Sequence, residues 1–257
     1  MKDTLKFSDN ILENIIKKGF WGCSCKSGNI PKITNTEEYD GSEWLDVVCT
    51  QIDNLKSSEK KKLIEKWCEF LPTLEKVKYL FFSSKVPVNI FESSCLMPNL
   101  ELLCIKWSSI DDISSLIKLK NLRYFHLGSS TKLESIDILG NMDNLLFLSL
   151  ENIKKIKDIK PLSNLKNIIG ISISGSMWTT QVIETLEPLK NLQNLQYLEL
   201  INSKTNDKTI RFLEEIKSLK YLNGPYFYPK GFKLYEEFNY LKNINPELTI
   251  KHYYGNK

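Results

Sequence analysis

From residue 74 onward one apolar pattern keeps returning: an apolar residue, two variable residues, a second apolar residue, one variable residue and a third apolar residue. Val77, Leu80 and Phe82 carry it first, followed by Leu100, Leu103 and Ile105, then Leu122, Phe125 and Leu127. Leu145, Leu148 and Leu150 come next, then Ile168, Ile171 and Ile173, then Leu195, Leu198 and Leu200, and Leu219 with Leu222 give a weaker last copy. Successive copies start 23, 22, 23, 23, 27 and 24 residues apart. In a strand, residues two apart share a face, so the last two apolar positions of each copy point inward and the residue between them points outward. One such coil cannot bury its own apolar side. Copies must stack, their strands forming a parallel sheet over a continuous apolar row, with a turn and a return segment completing each coil.

The return segments narrow the class. Ile110-Asp111-Asp112-Ile113-Ser114-Ser115-Leu116 and Ile156-Lys157-Asp158-Ile159-Lys160-Pro161-Leu162 carry an Ile-x-Asp-Ile-x-Pro-Leu-like phrase. Together with the period, over residues 74–225, this resembles the short, internalin-like class of bacterial leucine-rich repeats. The resemblance implies an α/β solenoid with a concave parallel sheet, short helices or turns on the convex side, and no catalysis. The asparagine of that repeat consensus is mostly missing, with Ser108, Ser130 and Ile153 near its place. The turns are therefore expected to be less regular than in extracellular members.

Three domains follow: an N-terminal helical cap (1–72), the repeats (73–225) and a C-terminal cap (226–257). Solenoid ends expose core and need covering. Helices are expected over 9–18, ending at Gly19, over 42–55, with Asp40 and Glu43 as a capping box, and over 58–71, ending before Pro72. A Gly-, Ser-, Asn- and Pro-containing loop joins the first two. Two long coils are expected to hold true helices near Thr180–Leu186 and Asn206–Ile216. Leu234, Tyr235, Phe238 and Leu241 mark a helix, and Pro246–Ile250 a closing edge strand.

The net charge of +4 is mild for 257 residues. Arg123 and Arg211 are the only arginines, whereas base-reading sites favour arginine, so no nucleic-acid partner is expected. Acidic residues interrupt the N-terminus where a signal peptide needs its apolar run, and no stretch is long and apolar enough for a membrane span. A cytoplasmic, membrane-free protein, monomeric when free and without a cofactor, is the simplest expectation. Cys23 and Cys25 lack zinc-knuckle spacing, so no metal is expected with Cys49 and Cys68.

The outward positions on the sheet are the candidate site. One column reads Tyr79, Leu102, Tyr124, Phe147, Gly170, Tyr197 and Tyr221; the next includes Phe81, Cys104, His126 and Glu199; a third includes Lys106 and Glu151. The aromatics form either a contact ladder or simply strand-favoured stacking. Tyr226 and Tyr228 lie in an aromatic loop that is a contact arm or a lid on the last coil. Cys104 and His126 fall on neighbouring coils, but no third orienting group or oxyanion arrangement accompanies them. The expected function is protein binding without catalysis. Stand-alone solenoids of this kind resemble immunity proteins that neutralise a cognate toxin. The alternatives are a regulatory subunit or a delivered effector.

Overall fold

The computed structural model describes residues 2–24, 30–225 and 228–251, with side chains of the first segment described from residue 9 to residue 20. The chain opens with a helix, α1 (Lys2–Ser24), followed by short strands β1 (Lys32–Ile33) and β2 (Trp44–Val47). Helix α2 (Ser57–Phe70) leads into β3 (Tyr79–Phe82), and α3 (Val88–Ser94) into β4 (Leu102–Ile105). Strands β5 (Tyr124–Gly128), β6 (Phe147–Glu151) and β7 (Gly170–Ser174) follow at one per coil. After them come β8 (Gln181–Ile183), β9 (Tyr197–Glu199), β10 (Ser203–Thr205) and β11 (Tyr221–Asn223). Helix α4 (Leu234–Ile244) and strand β12 (Thr249–Lys251) close the fold.

Ten strands form one parallel sheet in the order β1-β2-β3-β4-β5-β6-β7-β9-β11-β12. The register is that of the repeat: Leu80 pairs with Leu103, Leu103 with Phe125, Phe125 with Leu148, and Leu148 with Ile171. These inward residues, with the Leu and Ile of the return segments, make one continuous core. The expected α/β leucine-rich-repeat solenoid is present.

Each return segment from the second coil to the sixth is a five-residue 3-10 turn: Ser114–Lys118, Asp137–Asn141, Lys160–Asn164, Glu187–Asn191 and Arg211–Glu215. The physical cause is visible in the repeated phrase. A polar side chain two residues ahead accepts a backbone N–H: Asp112 from Ser114, Ser135 from Asp137, Asp158 from Lys160, Thr185 from Glu187 and Thr209 from Arg211. These return segments thus share one regular turn. Ser108 and Ser130 hydrogen-bond each other at 2.5 Å where the consensus asparagine is missing. A different ladder also binds the coils. Asn99, Asn121, Asn144, Asn167 and Asn194, each just before the first apolar residue of a repeat copy, donate to carbonyls of the preceding coil.

Several local expectations are corrected. Residues 42–55 hold strand β2, in register with β3, rather than a helix. Trp44, Leu45 and Val47 fit the pleat, and Leu45 and Val47 enter the core two residues apart. Asp40 binds the Ser42 N–H rather than forming a helix cap, and the capping box lies at Asn35 and Glu38. Residues 1–72 therefore include two strands of the sheet beside helices α1 and α2. The Thr180 stretch is not a helix either: β8 pairs in parallel with β10 in a small second sheet, which suits Val182 and Ile183. Asn206–Ile216 carries the same 3-10 turn as the other coils. Helix α4 and the edge strand β12 are as expected.

Candidate functional site: the concave face and its rim

The outward columns stand where the repeat spacing placed them, and β4 and β5 bring Cys104 directly opposite His126. What the sequence did not show is that α1 lies on this face instead of capping an end. Ile15 and Phe20 are fully buried against Phe81, Leu102, Cys104, Tyr124, Phe147 and Tyr197, with Ile11, Leu12 and Ile16 packed alongside. This apolar cluster is separate from the main core, which lies on the other side of the sheet. Tyr124, Phe147, Tyr197, Phe81, His126 and Glu199, expected on an open surface, are therefore buried.

Phe20 seats in a gap that one residue creates. Gly170 interrupts the aromatic column, and a Cβ there would come within 3.0 Å of both the Phe20 ring and Phe147. The Phe20 ring meets Tyr197 edge-on with centroids 5.8 Å apart, and Tyr124 at 6.3 Å. Gly19 breaks the helix just before it with φ 71°, a left-handed conformation that glycine adopts without strain. The backbone N–H of Phe20 is held by Glu199, which Ser172 and Tyr197 also hydrogen-bond. Burial pushes the Glu199 carboxyl up, and these hydrogen bonds oppose that rise. On the outer side of α1, Lys251 donates to the Ile16 carbonyl at 3.2 Å.

His126 is fully buried, its Nδ1 2.9 Å from the Ser149 hydroxyl, and burial pulls its pKa down to about 3. The imidazole is neutral at physiological pH. Cys104 is buried in the cluster that holds Ile15 and Phe20. Cys49 and Cys95 are buried thiols pushed up to about 12, the opposite of an activated nucleophile. Among the described residues no three of His, Cys, Asp and Glu come together as metal ligands. Cys25 lies outside the described residues, as does the side chain of Cys23. Both arginines serve the fold: Arg123 pairs with Glu101 at 3.2 Å, and Arg211 with Glu237 at 2.9 Å. Among the described residues no helix is long and apolar enough to cross a membrane.

The rim beyond α1 stays open. Tyr79, Lys106, Glu151, Tyr221 and Tyr228 are half-buried, and Tyr226 lies outside the described residues. Tyr228 stacks on Phe232 at 4.0 Å. Trp44 extends the aromatic column by one strand, 41% exposed and stacked 4.2 Å from Tyr79. It went unrecognised because its segment read as a helix, although Leu45 and Val47 repeat the last two positions of the pattern. The four residues that lengthen the fifth coil build a projecting tip, Ser176–Thr179, with Met177 85% and Trp178 87% exposed. The tip is braced: the Ser176 and Thr179 hydroxyls are 2.7 Å apart, Thr179 donates to Asn152, and Asn202 donates to the Ser176 carbonyl. The irregular 27-residue step was the available signal for it.

Burial raises the Glu151 carboxyl from 4.5 to about 7, with Lys106 drawing it partly back. An acid whose folded pKa is raised contributes stability below pH 4.5 that is lost as pH climbs through 7. The full rise corresponds to roughly 3 kcal/mol, and partial exposure reduces this to about 2 kcal/mol. Glu151→Gln is expected to be more stable than the wild type by that amount at pH 8 and no more stable at pH 4. Urea melts at both pH values check it, and equal stabilities at pH 8 would rule the strained carboxylate out.

The fold and its register define a leucine-rich-repeat solenoid. A leucine-rich-repeat protein of Leptospira interrogans is 19% identical, matched over 70% of this chain and 44% of its own, with TM-score 0.50. An internalin C2 from Listeria monocytogenes is 18% identical over 71% of this chain and 74% of its own, with TM-score 0.49. The chain spans less than half of the Leptospira protein, and at these identities the likeness is one of fold. No protein-family model matches the chain, and a search of curated proteins finds no relative.

Proposed function

We propose that this protein acts by binding another protein, without catalysis of its own, and that it does so as an immunity protein covering a cognate toxin. The observation that carries the binding role is the braced tip. A tryptophan and a methionine almost fully in water, on a turn tied to two neighbouring coils, form a preorganised anchor of the kind that dominates interface energetics. Nothing in the core needs either side chain. The open rim residues Tyr79, Lys106, Glu151, Tyr221 and Tyr228, with Trp44, supply further contact surface on the concave side. The toxin as partner rests on analogy with leucine-rich-repeat immunity proteins.

Purification of the tagged protein from its native cells, with mass spectrometry of what co-elutes, tests this reading. A stoichiometric partner that is toxic when expressed alone, and harmless when co-expressed with this chain, is the expected result. Trp178→Ala is expected to change folding stability by less than about 0.5 kcal/mol while weakening the complex by about 2 kcal/mol or more. A partner that binds the variant as tightly as the wild type would remove the tip from the interface. A clean monomer with no partner would remove the binding role.

A further inference from the structure

We propose that the concave groove is a receptor for an amphipathic helix carrying an aromatic lock residue, filled by α1 in the free protein and by a helix of the partner in the complex. This rests on the protein-binding role above and names the partner's chemistry. The groove has the shape of what already occupies it. Ile11, Leu12, Ile15 and Ile16 lie along one face of α1, and Phe20 drops into the slot over Gly170. The other face, Glu13, Asn14, Lys17 and Lys18, is in water.

Three observations make the seat exchangeable rather than part of the framework. Among the described side chains of the helix, residues 9–20, only Ile15 and Phe20 are fully buried, whereas Ile11, Leu12 and Ile16 are half-buried. The cluster under α1 is distinct from the main core, so the solenoid keeps its own apolar interior when the helix leaves. The sheet carries a column of aromatics that a solvated concave face would not need, with a one-residue gap in it. The best-fitting partner helix therefore presents apolar residues at i, i+1, i+4 and i+5, and an aromatic ring at i+9, the spacing of Ile11 to Phe20. A break in the helix just before that ring exposes the N–H that Glu199 accepts.

The test uses a fluorescein-labelled peptide of residues 2–24 with the full-length chain. Three proteins are compared: the wild type, Phe20→Ala, and Phe20→Ala combined with Gly170→Leu. Hydrogen exchange over residues 9–20 reports whether the protein's own helix has left, and thermal melting reports the solenoid. Phe20→Ala is expected to speed exchange over 9–20 and to bind the peptide roughly tenfold or more tightly than the wild type. The double variant is expected to bind it no better than the wild type, because the introduced leucine side chain would fill the slot. Faster exchange without peptide binding overturns the receptor groove. So does equal peptide binding by the double variant and Phe20→Ala. Unchanged protection of residues 9–20 in Phe20→Ala overturns Phe20 as the lock. With the partner in hand, binding that survives Gly170→Leu places the partner elsewhere and sinks the helix exchange while leaving protein binding standing. Absence of any partner instead sinks the reading of the previous section.

Discussion

Acidifying the protein from pH 7 to pH 4 is expected to cost about 3 kcal/mol of folding stability through His126 alone. The imidazole is buried on the sheet, its Nδ1 at the Ser149 hydroxyl, and burial lowers its pKa from 6.5 to about 3. For a base whose folded pKa is depressed, the unfolded chain takes the proton first. The contribution is complete above pH 6.5 and drains away as pH falls toward 3. Urea melts of the wild type and His126→Asn at pH 7 and pH 4 isolate this group, because the carboxylates titrate alike in both proteins. His126→Asn is expected to lose about 3 kcal/mol less than the wild type on acidification. Equal losses would show that the imidazole is hydrated.

Trp67→Ala is expected to destabilise the N-terminal end by about 3–5 kcal/mol, in the range found for buried aromatics cut to alanine. The indole is fully buried, its Nε1 donates to the Thr34 carbonyl at 2.7 Å, and its ring meets Phe70 edge-on at 5.9 Å. It ties α2 to the segment just after β1, the base from which the chain reaches α1. Trp67→Phe keeps most of the packing and is expected to lose only about 1 kcal/mol, the usual net value of one hydrogen bond. A change of the same size in both variants would assign the effect to the indole N–H rather than to volume. Denaturant melts give the two values.

The repeat register was legible because it is local and redundant: seven copies of one spacing specify which side chains face the core and which face out. The Cys104–His126 juxtaposition followed from that spacing alone. Two of the three mistaken helices, over 42–55 and near Thr180, failed for one reason. A short segment with apolar residues at helical spacing also satisfies strand alternation, and the neighbouring strand β3 or β10 decides the outcome. The seat of α1 was not legible at all. Ile11, Leu12, Ile15 and Ile16 announce an apolar face, but not which distant surface will receive it. Gly170 was the one clue, a small residue where every other coil places a large one. Trp178 was hidden by the irregularity of its own coil.

The strands join each coil to the next, whereas the helix bound beneath Lys251 touches a residue 235 positions away in sequence. On the ribosome, α1 emerges well before the strands carrying Tyr197, Glu199 and Lys251 are made. The helix must wait, its apolar face unsatisfied, while the coils assemble in order behind it. Its arrival then spans early coils and late ones, laid on the sheet without entering the core between the coils. The youngest solenoid in the cell therefore carries an open groove and a loose helix together, and any protein made beside it meets both.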